Sequence, residues 1–380
     1  MSENSFPTTQ PGMDNPPALS VSDIITVTIY SVIGIIGVIG NLLVLVVFRL
    51  LKSRKSQVNS FILNQALADF TTSLLLITFG LTRIIRHQIN HTGGFGEFLC
   101  RFWWSRFFVF SCFAVSTFNL TAMSVERFIA VVLPLKYPFI FTKRRTYSII
   151  LVVWLIAPGM QWIFPIALYE LDKETNSCEF QASWSFQVAG AISGVFLFLW
   201  EYFVPVTFML IAYISILKTL KRKEVQIQGL SQTKTENTPS AQTASSVLPT
   251  RQKGIRFNVE NDSNDDKRTK APKPKATSAQ VRRRNVTITL FIMFLVYVIC
   301  WTPNQLTFLQ FNLGGALDFN GAWYHITVFM AFLNTCVNPI IYALKHKQFQ
   351  KGMKEIFRCY GNRVDQSSIL SNSVSGTAVD

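Results

Sequence analysis

The last long apolar stretch of the chain ends Asn338-Pro339-Ile340-Ile341-Tyr342. A proline inside an apolar helix withholds one backbone donor and strains the turn before it. The asparagine beside it can satisfy a freed carbonyl or reach a neighbouring helix. The tyrosine one turn on carries a hydroxyl that needs a polar partner where partners are scarce. That is a heavy load of polar chemistry for one span, beyond what a locally repaired proline kink requires.

The rest of the chain sets this motif in a membrane. Of 380 residues, 49% are apolar and only 15% charged, and Phe alone contributes 33. Seven runs approach the ~20 residues that cross a bilayer. They lie at about 24–49, 59–83, 98–130, 145–167, 188–218, 284–310 and 322–345. The expected fold is an all-α membrane protein, a seven-transmembrane helix bundle occupying 24–345. No internal repeat is visible, which argues against a transporter built from inverted halves.

Charge placement orients the bundle. Of the 36 Lys and Arg, only Arg83, Arg86, Arg101, Arg106 and Lys173 fall on the side of the amino terminus. Nearly all the rest cluster at Arg49 to Lys55, Lys136 to Arg145, Lys218 to Arg284 and Lys345 to Arg363. The positive-inside rule then predicts an extracellular amino-terminal segment, 1–23, and a cytoplasmic carboxyl terminus in the plasma membrane. The net charge of +15 is thus a cytoplasmic face near anionic lipid and does not imply nucleic acid. Residues 1–22 hold no basic-then-apolar signal, so the first span is expected to serve as the insertion signal.

Cys100 at the outer start of span three and Cys178 in the outer loop after span four both face an oxidising compartment, and a disulfide is expected between them. Cys359 follows a basic amphipathic segment and is a palmitoylation candidate, a free thiol being the alternative. The sequon Asn90-His91-Thr92 is the expected glycosylation site.

Polar residues inside spans mark function. Asn41, Asp69, Ser116, Asn334 and Asn338 come from spans one, two, three and seven. Asp69 has no Lys or Arg placed to neutralise it. Either a small hard cation coordinated by oxygens or a proton shared with the asparagines would do so. At the inner end of span three, Glu126-Arg127-Phe128 predicts a local ion pair. Span six carries Cys300-Trp301-Thr302-Pro303, a proline hinge below a bulky ring.

Together these residues resemble the rhodopsin-like family of G-protein-coupled receptors, most closely its neuropeptide branch. The resemblance covers about 24–359: Asn41, Leu67-Ala68-Asp69, Glu126-Arg127-Phe128, Trp154, Pro205 with Tyr213, Cys300-Trp301-Thr302-Pro303, and Asn338-Pro339 with Tyr342. Phe349 matches the family's membrane-surface eighth helix, expected at 346–359, before a tail at 360–380. The resemblance implies a sodium ion as allosteric modulator at Asp69, Ser116, Asn334 and Asn338, and no other cofactor. It also implies that Glu126, Arg127, Pro205, Tyr213, Tyr297, Pro303, Pro339 and Tyr342 act as the switch. Span six would swing outward and admit a heterotrimeric G protein, with Leu135 as an apolar contact.

The sequence departs from the family pattern in several places. Asp-Arg-Tyr is Glu-Arg-Phe here, and Arg283 stands near the position of an acidic partner for the span-three arginine in some members. A lock between spans three and six is therefore not expected, and ligand-free signalling is. Gln65 replaces a common leucine, while Tyr297 and Thr117 replace a phenylalanine and an aliphatic residue. Cys100 lies two residues further from Arg127 than the family pattern has it, so the top of span three is longer or shifted.

The expected pocket lining is Arg106, Phe110, Glu201, Trp301, Asn304, Gln305 and Gln310, with Glu179 in the loop above. No acidic residue lies between Cys100 and Val125, which disfavours a monoamine. Span seven has no lysine between Ala322 and Leu344 for retinal. Glu201 is expected to pair with Arg106 or with a cationic ligand group. Glu170, Asp172, Glu174 and Glu179 form an acidic lid that would steer a basic ligand, unless they are only solvated loop charges. The expected ligand is a short neuropeptide with a basic or amidated end; a non-peptide small molecule or a non-signalling scavenger role are the alternatives. Residues 221–281 read as a long disordered cytoplasmic loop. Ser367 to Thr377 offer phosphorylation sites for receptor kinases and arrestin. Nothing resembles a catalytic site, so no enzyme activity is expected.

Overall fold

Backbone groups in hydrocarbon must be satisfied within their own segment, so apolar runs of this length fold as helices. The computed structural model describes residues 21–50, 56–85, 89, 92–162, 169–172, 178–180, 187–236, 278–318, 321–356 and 358. Seven helical rods carry the fold. They are α1 (Val21–Leu50), α2 (Gln57–Ile84), α3 (Gly93–Val132), α4 (Lys143–Gln161), α5 (from Gln187–Phe198 through Val204–Glu236), α6 (Ser278–Asn312) and α7 (Ala322–Lys345). All but α4 are long and apolar enough to cross a membrane by length and composition. α4 opens on three basic residues, capped by Thr142, and its described part stops at Gln161–Trp162, short of the expected 167.

α3 is the central rod, packing against α2, α4, α5 and α6. α1 lies against α2 and α7 on a face of small residues. A Cβ at Gly37 would collide with the Ser73 hydroxyl, and one at Gly40 would sit 3.0 Å from Pro339. Those glycines let the backbones approach, as small residues do in membrane bundles. One buried cluster runs the length of the bundle, from Tyr30 and Phe79 at one end through Phe113, Trp301 and Phe332 to Tyr213, Tyr342 and Phe349 at the other.

The third span starts before the expected 98 and is not uniform along its length. α3 begins as Gly93–Phe98, loosens into a π-helical turn at Leu99–Trp104, breaks at Ser105–Arg106, and resumes at Phe107. Arg106 is left-handed, with φ 61°. A wide turn and a break absorb extra residues without rotating the rest of the helix, which accounts for the long Cys100–Arg127 interval. Beside this segment, β1 (Tyr169–Leu171) and β2 (Cys178–Phe180) form an antiparallel hairpin. The Cys100–Cys178 disulfide joins the hairpin to α3, with Cα atoms 5.3 Å apart.

The predicted loop 221–281 is also corrected. α5 continues to Glu236 and α6 begins at Ser278, because 221–236 is rich in Lys, Glu and Gln and holds no proline; 237–277 lie outside the described residues. After α7, 347–356 are helical. His346 Nδ1 accepts from Phe349 N at 3.3 Å and so caps that helix. Phe349 is buried against Phe48 and Tyr342. Asn90 and Cys359 lie outside the described residues, as does the Glu179 side chain.

Candidate functional site

Two prolines decide where the rods open their hydrogen-bond ladders. Pro339 cannot donate to the carbonyl four residues back, that of Thr335. Asn41 of α1 fills the gap, its Nδ2 donating to Thr335 O at 3.0 Å. Pro205 likewise offers nothing to the Glu201 carbonyl, in the π-helical turn Leu199–Phe203. The Tyr297 hydroxyl of α6 donates there at 3.2 Å. Thr117 of α3 donates to Tyr297 at 3.3 Å. The two departures at 297 and 117 therefore act as one unit that joins three helices at Pro205. Above it, Trp301 beside Pro303 meets Phe113 edge-on at 4.9 Å.

At mid-bundle Asp69 is fully buried. Ser116 donates to its Oδ1 at 3.0 Å and Asn338 to its Oδ2 at 2.8 Å. Gln65 Nε2 reaches both oxygens, at 3.4 and 3.3 Å, and also Ser116. Asn334 is buried one turn before Asn338 and makes no direct bond to Asp69. The chain of bonds continues outward. Asn119 donates to Gln65 Oε1 at 2.8 Å, Asn64 to Asn119 at 2.9 Å, and Trp154 of α4 to Asn64 at 2.8 Å. Four side chains, Trp154, Asn64, Asn119 and Gln65, thus link α4, α2 and α3 to the carboxylate. Gln65, Asn64 and Asn119 were not among the expected site residues; Gln65 stands one turn before Asp69 on the same helix, the one spacing signal available, and Asn64 and Asn119 gave none.

At the end of α3, Arg127 grips Glu126 with two bonds, both 2.5 Å, and both groups are buried. Tyr137, in the short helix Tyr137–Ile140, donates to Glu126 Oε1 at 2.6 Å. It restores a hydroxyl partner that Phe128 lacks. Ser124 donates to Tyr213 at 3.3 Å. The Tyr342 hydroxyl is buried with no partner among the described residues. Leu135 is 86% exposed.

At the hairpin end, Glu201 bonds Gln161 of α4 and Gln305 of α6. The expected Glu201–Arg106 pair is absent. The break at Arg106 turns its side chain to the α1, α2 and α7 side, where the guanidinium lies 5.3 Å over the Phe79 ring and 3.5 Å from the Tyr324 hydroxyl. Burial lifts the Tyr169 phenol above its ordinary range, and nearby Arg106 opposes that shift. Phe110 lies 6.4 Å from Phe113. Asn304 is half-buried, whereas Gln310, expected in the pocket, stands exposed where the end of α6 turns back at Gly315.

The bundle has a polar cluster at mid-depth, a charge pair at one end and two opposite charges, Arg106 and Glu201, at the other. Among the described residues no nucleophile–base pair is arranged for covalent chemistry. The histamine H2 receptor of Canis lupus familiaris is 24% identical over 95% of this chain and 86% of its own length. Galanin receptor 2b of Danio rerio is 26% identical, over 94% and 82%. Octopamine receptor beta-2R of Chilo suppressalis is 25% identical, over 83% and 75%. The family profile described as 7 transmembrane receptor (rhodopsin family) matches residues 40–342. The chain is thus a multi-pass membrane receptor of the kind that answers an extracellular ligand through a G protein, not an enzyme, and it belongs to the rhodopsin family of seven-transmembrane receptors.

Proposed function

We propose that this receptor sits in the plasma membrane with the hairpin end outside and answers a short neuropeptide. The observation that carries this reading is the charge on α3. Between Cys100 and Val125 it offers no carboxylate and instead presents Arg106. A monoamine finds no counter-charge there. A peptide can span the cleft, reaching Glu201 on one side and the hairpin carboxylates above. Binding would press on Trp301 and Phe113 and bias the Pro303 hinge. Outward movement of α6 would break the Tyr297–Glu201 bond and free Arg127 from Glu126 to meet the G protein. Arrestin and receptor kinases would act on the serine-rich tail, beyond the described residues.

Asp69, Ser116, Asn334 and Asn338 supply the hard oxygens that suit sodium. Gln65 points an amide nitrogen at the same carboxylate and competes for it. In this reading sodium would be a weak modulator held by Asp69, with the hydroxyl and amide oxygens completing its shell.

A second reading, a small amine seated on Glu201, draws support from relatives named for histamine and octopamine. A second-messenger screen of short peptides and amines, with Arg127→Ala as control, separates the two. Peptide responses lost in Arg127→Ala support the neuropeptide reading. An amine response abolished by Glu201→Gln, with all peptides silent, overturns it.

A further inference from the structure

We propose that Arg106 forms an anionic subsite, and that the ligand carries a carboxylate which pairs with it. The inference rests on the pocket reading above and narrows its ligand to one with acidic as well as basic character. The contrast between arginines at the hairpin end carries it. Arg83 holds Asp23 at 2.6 Å, and Arg101 holds Glu97 at 2.6 Å. Arg106 has no carboxylate among the described residues. Among the described residues its Nε is buried without an acceptor, and the one hydrogen bond of its side chain is the 3.5 Å contact to Tyr324. The titratable side chains around it are Tyr30, Tyr169 and Tyr324, from α1, the hairpin and α7.

A buried cation without a counter-ion is costly, and a ring face answers only part of that cost. Moreover, the chain accepts an unfavourable left-handed residue to place it there: Arg106 is the one described non-glycine with positive φ. A guanidinium presents a planar fork that matches a carboxylate, and phenol hydroxyls can donate to the same oxygens. Meanwhile Glu201, held by Gln161 and Gln305, provides the opposite charge nearer α5. This end of the bundle is therefore dipolar, and a zwitterionic ligand with a free carboxyl group matches both charges. An amidated carboxyl end does not.

The first test needs no agonist. Purified full-length receptor in nanodiscs is melted with N-acetyl-phenylalanine and, separately, with its amide. The acid should raise the midpoint in a dose-dependent way and the amide should not. Arg106→Gln should abolish the shift yet melt no lower than wild type, because an unpaired charge has been removed; Arg106→Lys should keep part of the shift. Equal effects of acid and amide, no effect of either, or Arg106→Gln melting several degrees low would overturn the proposal. A shift produced equally by chloride replacing gluconate would also overturn it, by assigning the site to a halide. In cells, peptides are compared as free acids and amides, and with Asp or Glu changed to Asn or Gln. Loss of the group that binds should cost about tenfold or more in potency, with no further loss in Arg106→Gln. This also separates a chain terminus from an acidic side chain. If peptides are silent while an amine activates and the acid-dependent shift persists, the peptide reading fails and the subsite stands.

Discussion

Changing Tyr297 to Phe removes one hydroxyl and almost no volume, so it isolates a single interaction. In the structure that hydroxyl caps the Glu201 carbonyl left open by Pro205 and accepts from Thr117. Thr117 can turn its hydroxyl to its own helix, whereas the Glu201 carbonyl faces Pro205, which has no N–H, at the ordinary donor position four residues on. Leaving a buried carbonyl orphaned costs about 1–3 kcal/mol. Interhelical bonds in membranes average nearer ~0.6 and reach ~1.7 kcal/mol. The expected loss is therefore about 1–2 kcal/mol, or roughly 2–4 °C in the thermal midpoint at about 2 °C per kcal/mol. The measurement is the unfolding midpoint of purified receptor for Tyr297→Phe, Pro205→Ala and the double variant. Alanine at 205 restores an N–H for the same carbonyl, so the double variant should lose less than the sum of the singles by about 1 kcal/mol. A wild-type midpoint in Tyr297→Phe, or strict additivity, would refute the capping argument.

Gly37→Val should abolish surface expression, since its side chain would collide with Ser73 of α2, whereas Gly159→Ala, with open space around it, should be neutral or gain about 0.5–1 kcal/mol. Flow cytometry and melting of the two variants check this. Glu126→Gln keeps the shape but halves the charge-assisted grip on Arg127. A change of about 1 kcal/mol should raise ligand-free second messenger about fivefold at matched surface expression; an unchanged baseline counts against it. Gln65→Leu withdraws the amide from Asp69, so sodium should stabilise this variant more than wild type relative to N-methylglucamine, and an equal or smaller effect would exclude competition at that carboxylate.

The bundle was legible because membrane helices announce themselves by length and polarity, and proline, asparagine and tyrosine in Asn338-Pro339-Ile340-Ile341-Tyr342 can coexist there only with partners. The disulfide followed from topology, and the Arg127–Glu126 pair from adjacency. What the sequence hid was direction. Glu201 and Arg106 share an end of the bundle and carry opposite charges, yet a one-residue break turns Arg106 away. Backbone handedness at a single position leaves no periodic trace. The Trp154–Asn64–Asn119–Gln65 chain was hidden for another reason: each link crosses between helices, so no local spacing reports it. Conversely Tyr297 and Thr117, two separate irregularities in the sequence, proved to answer one another.

The bond from Asn41 to the Thr335 carbonyl joins residues 294 apart in the chain. The first helix of the bundle therefore carries the group that completes the seventh. Until α7 arrives, the Asn41 amide waits in lipid with only its own helix's Gly37 carbonyl, 2.9 Å away, to hold it. Until α1 is beside it, α7 inserts with an open carbonyl at its bend. The bundle closes as a ring whose ends recognise each other through a defect in one of them, so assembly can be proofread at its final step. A chain cut before α7 would lack that closure, however well its earlier helices pack.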